Sequence, residues 1–376
     1  MRSAPYHWPT WPSFSLLGLI IFGIALPADA QELKTRNIVL ITTDGFRWQE
    51  MFTGAEPALL NKADGGVANP QQTASLYGQA TPEERRAALL PFFWKTIARQ
   101  GQLYGNKLHG SSAQITNTMK FSYPGYNEIL TGFADPRINS NDKKPNENMT
   151  VLEWLHRKSP FDAKVAAYSA WDVVPFIINR ERCDFPVMGG WEPVPEEAPN
   201  PRQLLLNELI TDTTRHNDSE VLDSLLFAAA REHLIRHQPR VFFVGFLETD
   251  HWAHAGRYDH VLTSAHAVDS YIRQLWELVQ SLDQYRDQTT FIITTDHGRG
   301  SGPKDWKNHG QKIEGAEDIW MAFLGPDTPA LGERHDCARV TQSQIAATLA
   351  AFLGENYQAD IPHAGTPVAD AIRPTP

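Results

Sequence analysis

The placement of apolar residues constrains this chain more than any other feature. Short runs at Asn37 to Thr43, Lys164 to Tyr168, Val241 to Leu247, Thr290 to Thr295 and Ile319 to Leu324 are nearly continuous and rich in β-branched or aromatic side chains. A strand open to water on one face alternates polar and apolar residues, whereas one covered on both faces need not, so these runs predict buried parallel strands. Helical stretches lie between them. Thr81-Pro-Glu-Glu84 reads as an N-cap, a first-turn proline and an N3 acid ahead of a helix through Ala87 to Ala98. Further helices are expected at Glu220 to Ile235, His260 to Leu282 and Thr341 to Leu353. Alternating strand and helix predict an α/β fold, a doubly wound, mostly parallel sheet sandwiched between helices, as one domain over residues 31–376. Two stretches, 49–79 and 176–202, fit that pattern poorly and read as insertions near the mouth of a crevice.

Residues 1–30 have the parts of a secretory signal peptide: a basic start at Arg2, an apolar core from Phe14 to Leu26, and the small-x-small site Ala28-Asp29-Ala30 ahead of Gln31. The expectation is a secreted or periplasmic protein; the alternative is an uncleaved N-terminal anchor. No later segment is apolar enough to cross a bilayer. An exported compartment permits Cys183 and Cys337 to pair, a bridge that would stabilise the fold by roughly 2 to 5 kcal/mol if the geometry allowed it. The formal charge of −10, with no block of Lys and Arg, argues against a nucleic-acid-binding surface.

In doubly wound sheets, functional residues gather beyond the carboxyl ends of the strands. Asp44 ends the first apolar run, Asp250 and His254 follow the third in Glu248-Thr-Asp-His-Trp-Ala-His254, and Asp296-His297 follow the fourth. His309 adds another imidazole. Oxygen and nitrogen donors of this kind suit a divalent ion such as zinc. Asp250, His254 and His309 can supply one three-ligand set, and Asp44, Asp296 and His297 a second. Two ions sharing a substrate oxygen suit phosphoryl transfer. Such a site needs a nucleophile, and Ser122, ahead of Pro124 and a helix-like Tyr126 to Leu130 run, offers one whose hydroxyl a metal and a helix N-terminus could both activate. Thr118 is its nearby competitor, and His251 is the rival of His254.

In this order the motifs resemble those of the alkaline phosphatase superfamily, nearest its nucleotide pyrophosphatase/phosphodiesterase branch. The matching positions are Asp44, Ser122 in Ser-Tyr-Pro with Thr131-Gly132, Asp250 with His254, Asp296 with His297, and His309, spanning nearly the whole mature chain. The resemblance implies an alkaline phosphatase-like α/β/α fold, two zinc ions, and hydrolysis of small phosphate esters through a phosphoserine. Phosphodiesters or nucleotide pyrophosphates are favoured over monoesters. The chain departs from the branch where Gly125-Tyr126 replaces an Asn-His pair. The asparagine that contacts phosphate in that branch corresponds to Asn141, with Asn139 as its rival. Lys120 reads either as a partner for a phosphate oxygen or as a solvated lysine. Sulfatases share a Cys/Ser-x-Pro-x-Arg signal, but Tyr126 stands where its arginine is required. Trp48, Trp171 and Trp252 read as pocket walls or as core packing.

Overall fold

The computed structural model describes residues 1–10, 32–196 and 198–373. Most of the expected signal segment therefore lies outside the described residues, and residues 1–10 carry no helix or strand. Leu33–Pro374 form one compact unit.

Its strands, in chain order, are β1 Asn37–Thr43, β2 Gln102–Tyr104, β3 Ala113–Gln114, β4 Val165–Ser169, β5 Val187–Gly189, β6 Val241–Phe246, β7 Thr289–Thr294, β8 Asp318–Ile319, β9 Met321–Leu324, β10 Gly332–Glu333 and β11 Val340–Thr341. Eight of them build the main sheet in the order β10-β2-β9-β7-β1-β6-β4-β5, and β11-β3-β8 form a small second sheet. Ile38, Leu40 and Ile41 of β1, Phe242 and Phe243 of β6 and Ile292 and Ile293 of β7 are fully buried. Covering such a side chain is worth about 1.5 to 3 kcal/mol, which is why these apolar runs occupy the centre of the sheet. Strands β1, β6, β7 and β4 run parallel, as expected, and β5 joins them; β9, expected to be parallel, runs antiparallel to both β7 and β2. The expected strand over 319–324 is thus divided: Asp318–Ile319 joins the small sheet, and only Met321–Leu324 joins the large one.

The flanking helices used below are α1 Pro82–Leu89, α2 Ser122–Thr131, α3 Asp223–His237, α4 Glu248–His254, α5 Tyr258–Ser281 and α6 Ile345–Phe352. The Thr81 capping box is present, with both reciprocal hydrogen bonds, a feature worth about 1 kcal/mol. Helix α1 stops at Leu89, short of the predicted Ala98. Pro91 disfavours helical backbone at Leu90, and Phe93–Ile97 form wider π-type turns. The restart is held from outside, because the Asp269 carboxylate of α5 accepts the backbone N–H groups of Phe92 and Phe93 at 2.9 to 3.1 Å.

The two expected insertions are less separate from the core than their composition suggested. Val187–Gly189 lies inside 176–202 and forms the edge strand β5, where Val187 and Met188 are buried. Within 49–79, Met51, Phe52, Leu59 and Val67 are buried, and Asp64 accepts a hydrogen bond at 3.1 Å from the Trp306 indole of the loop that carries His309. Among the described residues no helix is long and apolar enough to cross a membrane.

Cys183 and Cys337 are both free thiols. Cys183 precedes β5 and Cys337 follows β10, and these strands are the two opposite edges of the eight-stranded sheet. Seven spacings of roughly 4.8 Å hold them apart, far beyond disulfide reach. Thiol titration of the unfolded, unreduced monomer should accordingly find two reactive groups per chain, against none if they were bridged.

Candidate active site

The register of three strands brings the site together. Thr42 pairs with Gly245 of β6 and Thr294 of β7, so β1, β6 and β7 end at one level and release Asp44, Asp250 and Asp296 on the same edge of the sheet. Asp44, Asp296 and His297 are fully buried there. His297 Nε2 stands 3.4 Å from Asp44 Oδ1, 3.5 Å from Asp296 Oδ2 and 3.4 Å from Ser122 Oγ. Donor atoms about 2.0 to 2.2 Å from a tetrahedral ion are roughly 3.3 to 3.6 Å apart, and the three distances from His297 Nε2 fall in that range. Both Asp44 carboxylate oxygens and Asp296 Oδ2 lack a hydrogen-bond partner, a costly state for buried acids that a cation would relieve.

A second group adjoins it. Asp250 Oδ2 lies 3.4 Å from His254 Nε2, Asp250 Oδ1 lies 3.8 Å from His309 Nε2, and the two imidazole Nε2 atoms are 2.8 Å apart. Asp250 Oδ1 is also 3.7 Å from His297 Nε2, so Asp250 stands between the groups and does not belong wholly to one. Carbonyl partners orient two of the rings: His297 Nδ1 is 2.9 Å from Gly298 O and His309 Nδ1 is 3.2 Å from Lys120 O. A carbonyl can only accept, so each Nδ1 carries the proton and each Nε2 faces the site. His251 is directed elsewhere, to Glu220 Oε2 at 2.8 Å, which removes it as a rival of His254.

Ser122 opens the ten-residue helix α2, whose N-terminal dipole favours negative charge at its hydroxyl. The loop before it is tied down by the buried Glu128, which accepts hydrogen bonds from the backbones of Thr116 and Asn117 and from both their side chains. Asn117 Oδ1 in turn accepts the N–H of Lys120, a residue at φ 54°. Lys120 extends its ammonium to Glu317 at 2.7 Å, so it is an ion-paired residue and neither of the two expected alternatives. Asn141 Oδ1 accepts the N–H of Tyr123, the residue after Ser122, and among the described residues its Nδ2 has no hydrogen-bond partner. Asn139 lines a cavity of about 200 Å³ with Tyr123, Arg137 and Lys144. Trp171 packs against Tyr126 and Trp252 against His260, whereas Trp48 lines a separate, open cavity of about 440 Å³.

Two close approaches explain residues that sequence reading left without a role. A Cβ on Gly125 would come within 2.3 Å of the Asp296 carbonyl oxygen, so glycine at this position lets α2 rest on the strand end that carries Asp296. Gly45, at φ +56°, donates its N–H to Asp296 Oδ1 at 3.0 Å, and a Cβ there would strike Asp250 Oδ1 at 2.7 Å. The residue missed altogether is Arg299. It is buried, forms a close ion pair with Asp250 Oδ1, and donates to Gly45 O and Lys307 O. The available signal was an arginine between two glycines directly after the Asp-His pair.

Burial pushes the Asp296 carboxyl up to about 8, and the neighbouring Asp44 adds to the shift. Burial opposes charge on His297, but Asp296 and Asp44 outweigh it and raise the imidazole to about 9. Burial also brings Arg299 down to about 9, and it lowers His254 and His309 below the usual imidazole range.

The fold these residues share is that of alkaline phosphatase-like enzymes. The chain is 10% identical to the solved structure of wild-type alkaline phosphatase PafA, with a TM-score of 0.58 over 90% of this chain and 99% of that one. A 2-O GAG sulfatase is 12% identical with a TM-score of 0.54 over 90% and 74% of the two chains. The phosphonate monoester hydrolase SpPMH from Silicibacter pomeroyi is 11% identical with a TM-score of 0.53 over 91% and 78%. No curated protein matches by sequence. The profile of the Type I phosphodiesterase / nucleotide pyrophosphatase family matches residues 93–322, more than half of the sequence, and the chain belongs to that family. It is accordingly a hydrolase of the alkaline phosphatase superfamily.

The shifted groups predict how the metal-free protein responds to pH. Asp296 and His297 both have folded-state values above their unfolded ones. Stability from Asp296 is therefore lost as pH rises from about 4 toward 8, and that from His297 as pH rises through about 9. Chelator-treated protein should show a falling Tm between pH 6 and pH 9.5, and added zinc should flatten the profile; an unchanged slope on metal addition would separate these two residues from metal binding.

Proposed function

We propose that this protein hydrolyses phosphate esters, phosphodiesters or nucleotide pyrophosphates in preference to monoesters, through a phosphoserine at Ser122. The observation that carries the reading is the approach of Ser122 Oγ, at 3.4 Å from His297 Nε2, to a point ringed by three unpartnered carboxylate oxygens. Asp44, Asp296 and His297, with Ser122, would hold one divalent ion, and Asp250, His254 and His309 the other, zinc being the expected metal. Such ions supply the positive charge that stabilises a serine alkoxide and neutralises phosphoryl oxygens.

Ser122 Oγ attacks phosphorus in line with the ester oxygen. The bond from oxygen to phosphorus forms while the leaving group departs, and water then cleaves the phosphoserine. Helix α2 favours the charge on Oγ through its N-terminus. Asn141 is assigned to a phosphate oxygen because its Oδ1 accepts the N–H of Tyr123, which holds the side chain beside the residue that follows Ser122. Arg299 positions Asp250 through the buried ion pair. Against sulfate esters stands Tyr126, buried in α2 where the formylglycine signal needs an arginine. We assign the protein to the periplasm or the exterior on the signal-like residues 1–30.

Ser122→Ala should lower kcat/KM by at least about a thousandfold with the metal content unchanged. Activity near that of the unmodified protein would remove Ser122 as nucleophile. On substrate class, bis-p-nitrophenyl phosphate should be turned over with higher kcat/KM than p-nitrophenyl phosphate, and p-nitrophenyl sulfate should be inert. The reverse order of the two phosphates would make the protein a monoesterase.

A further inference from the structure

Away from the active site, three residues have the composition and spacing of a second kind of metal site. His233 and His237 stand one turn apart on α3, in His-Leu-Ile-Arg-His, and their rings stack at 4.6 Å. Residues four apart share a helix face, which is how two imidazoles on one helix can present nitrogens to one ion. The loop after β5 lies across this face. Arg236 donates to Ala198 O at 2.9 Å and Arg202 pairs with Glu232 at 2.9 Å, and these contacts bring Glu196 to the histidines. Glu196 Oε1 is 2.5 Å from His237 Nε2 and 3.6 Å from His233 Nδ1.

The second observation is the state of His233. Its side chain is only 3% exposed and its Nδ1 has no hydrogen-bond partner, although it points at a carboxylate. Beside it the hydroxyl of Tyr168, on β4, is fully buried and also unpartnered, with the two rings 5.0 Å apart. Native proteins rarely leave such groups unsatisfied, and a site holding two here lacks a component.

In the two other carboxylate-histidine groups the carboxylate is already committed elsewhere, although both ring nitrogens of His216, beside Glu220, are likewise buried and unpartnered. Glu333 is already taken by Arg86 and Asn106, and Glu220 by Asn217. Glu196 pairs, among the described residues, with the two histidines alone.

We infer that Glu196, His233 and His237 form a structural site for a divalent transition metal, zinc by its preference for two imidazoles and a carboxylate, which fastens the loop after β5 to α3. Three protein donors leave one position for water, and the 40% exposure of His237 gives a path for entry. This site is independent of the catalytic reading, because none of its residues belongs to the catalytic group.

The test is a zinc count on the full-length protein after equilibration with zinc and gel filtration. His237→Ala and Glu196→Gln should each hold one zinc fewer per chain than the unmodified protein, with kcat/KM on the substrate it turns over changed by less than twofold. Equal zinc in all three would reduce the group to a hydrogen-bonded histidine-glutamate pair and overturn the proposal. A measurement on the unmodified protein guards against variants that fold poorly. Diethyl pyrocarbonate should modify His237 in chelated protein and at least fivefold less after zinc is added, and equal modification in both states would also overturn the proposal.

Discussion

The interaction on which the site depends is the crowding of two buried carboxyl groups, whose repulsion the metal-free protein relieves by pushing Asp296 up to about 8. Asp44 and Asp296 are buried side by side, and three of their four carboxylate oxygens have no hydrogen bond. Removing a charge from water costs several kcal/mol even after relaxation, and two like charges add to that. His297 offsets part of it by holding a proton. The remainder calls for a cation, and a structure that tolerates such a deficit must stabilise it through the surrounding fold. The surroundings do so: Gly45 donates to Asp296, Thr249 donates to the Asp44 carbonyl at 2.5 Å, and Gln342 donates to the Asp296 carbonyl at 2.7 Å. These bonds tie the ends of β1 and β7 to α4 and to the turn before α6.

Ser122 is presented in the same manner. Helix α2 can place Ser122 against His297 because Gly125 lets its first turn rest on the Asp296 backbone. Glu128, inside the helix, fastens the loop that precedes Ser122. The Gly-Tyr pair that departs from the phosphodiesterase branch is therefore part of the packing that brings Ser122 and the carboxylates together. The family profile begins at residue 93 and leaves out Asp44, yet β1 is the central strand on which the strands leading to Asp250 and Asp296 are registered.

Much of this was legible before any coordinates. Four of the five apolar runs each mark one strand of the main sheet, and the carboxylates that follow three of them are the ones that meet. Sequence reading succeeded there because burial on both faces and position after a strand are local properties. It failed where the cause was distant. Pro91 was visible, but the restart at Phe92 rests on Asp269, far along the chain in α5. The strand Val187–Gly189 is too short to signal itself and owes its place to pairing with β4. Arg299 looked like a loop arginine, and only the approach of Asp250 gives it a partner.

The sequence by itself determined the α/β architecture, the order of the ligand-type residues and the serine that faces them, because periodicity, turn chemistry and side-chain donor type are written residue by residue. Tertiary structure decided the rest. It turned His251 toward Glu220, paired Lys120 with Glu317, set the two cysteines at opposite edges of the sheet, and placed Asp250 between two groups of donors. Each of these outcomes depends on which distant atoms come within a few ångströms, and strand register and helix packing set those distances.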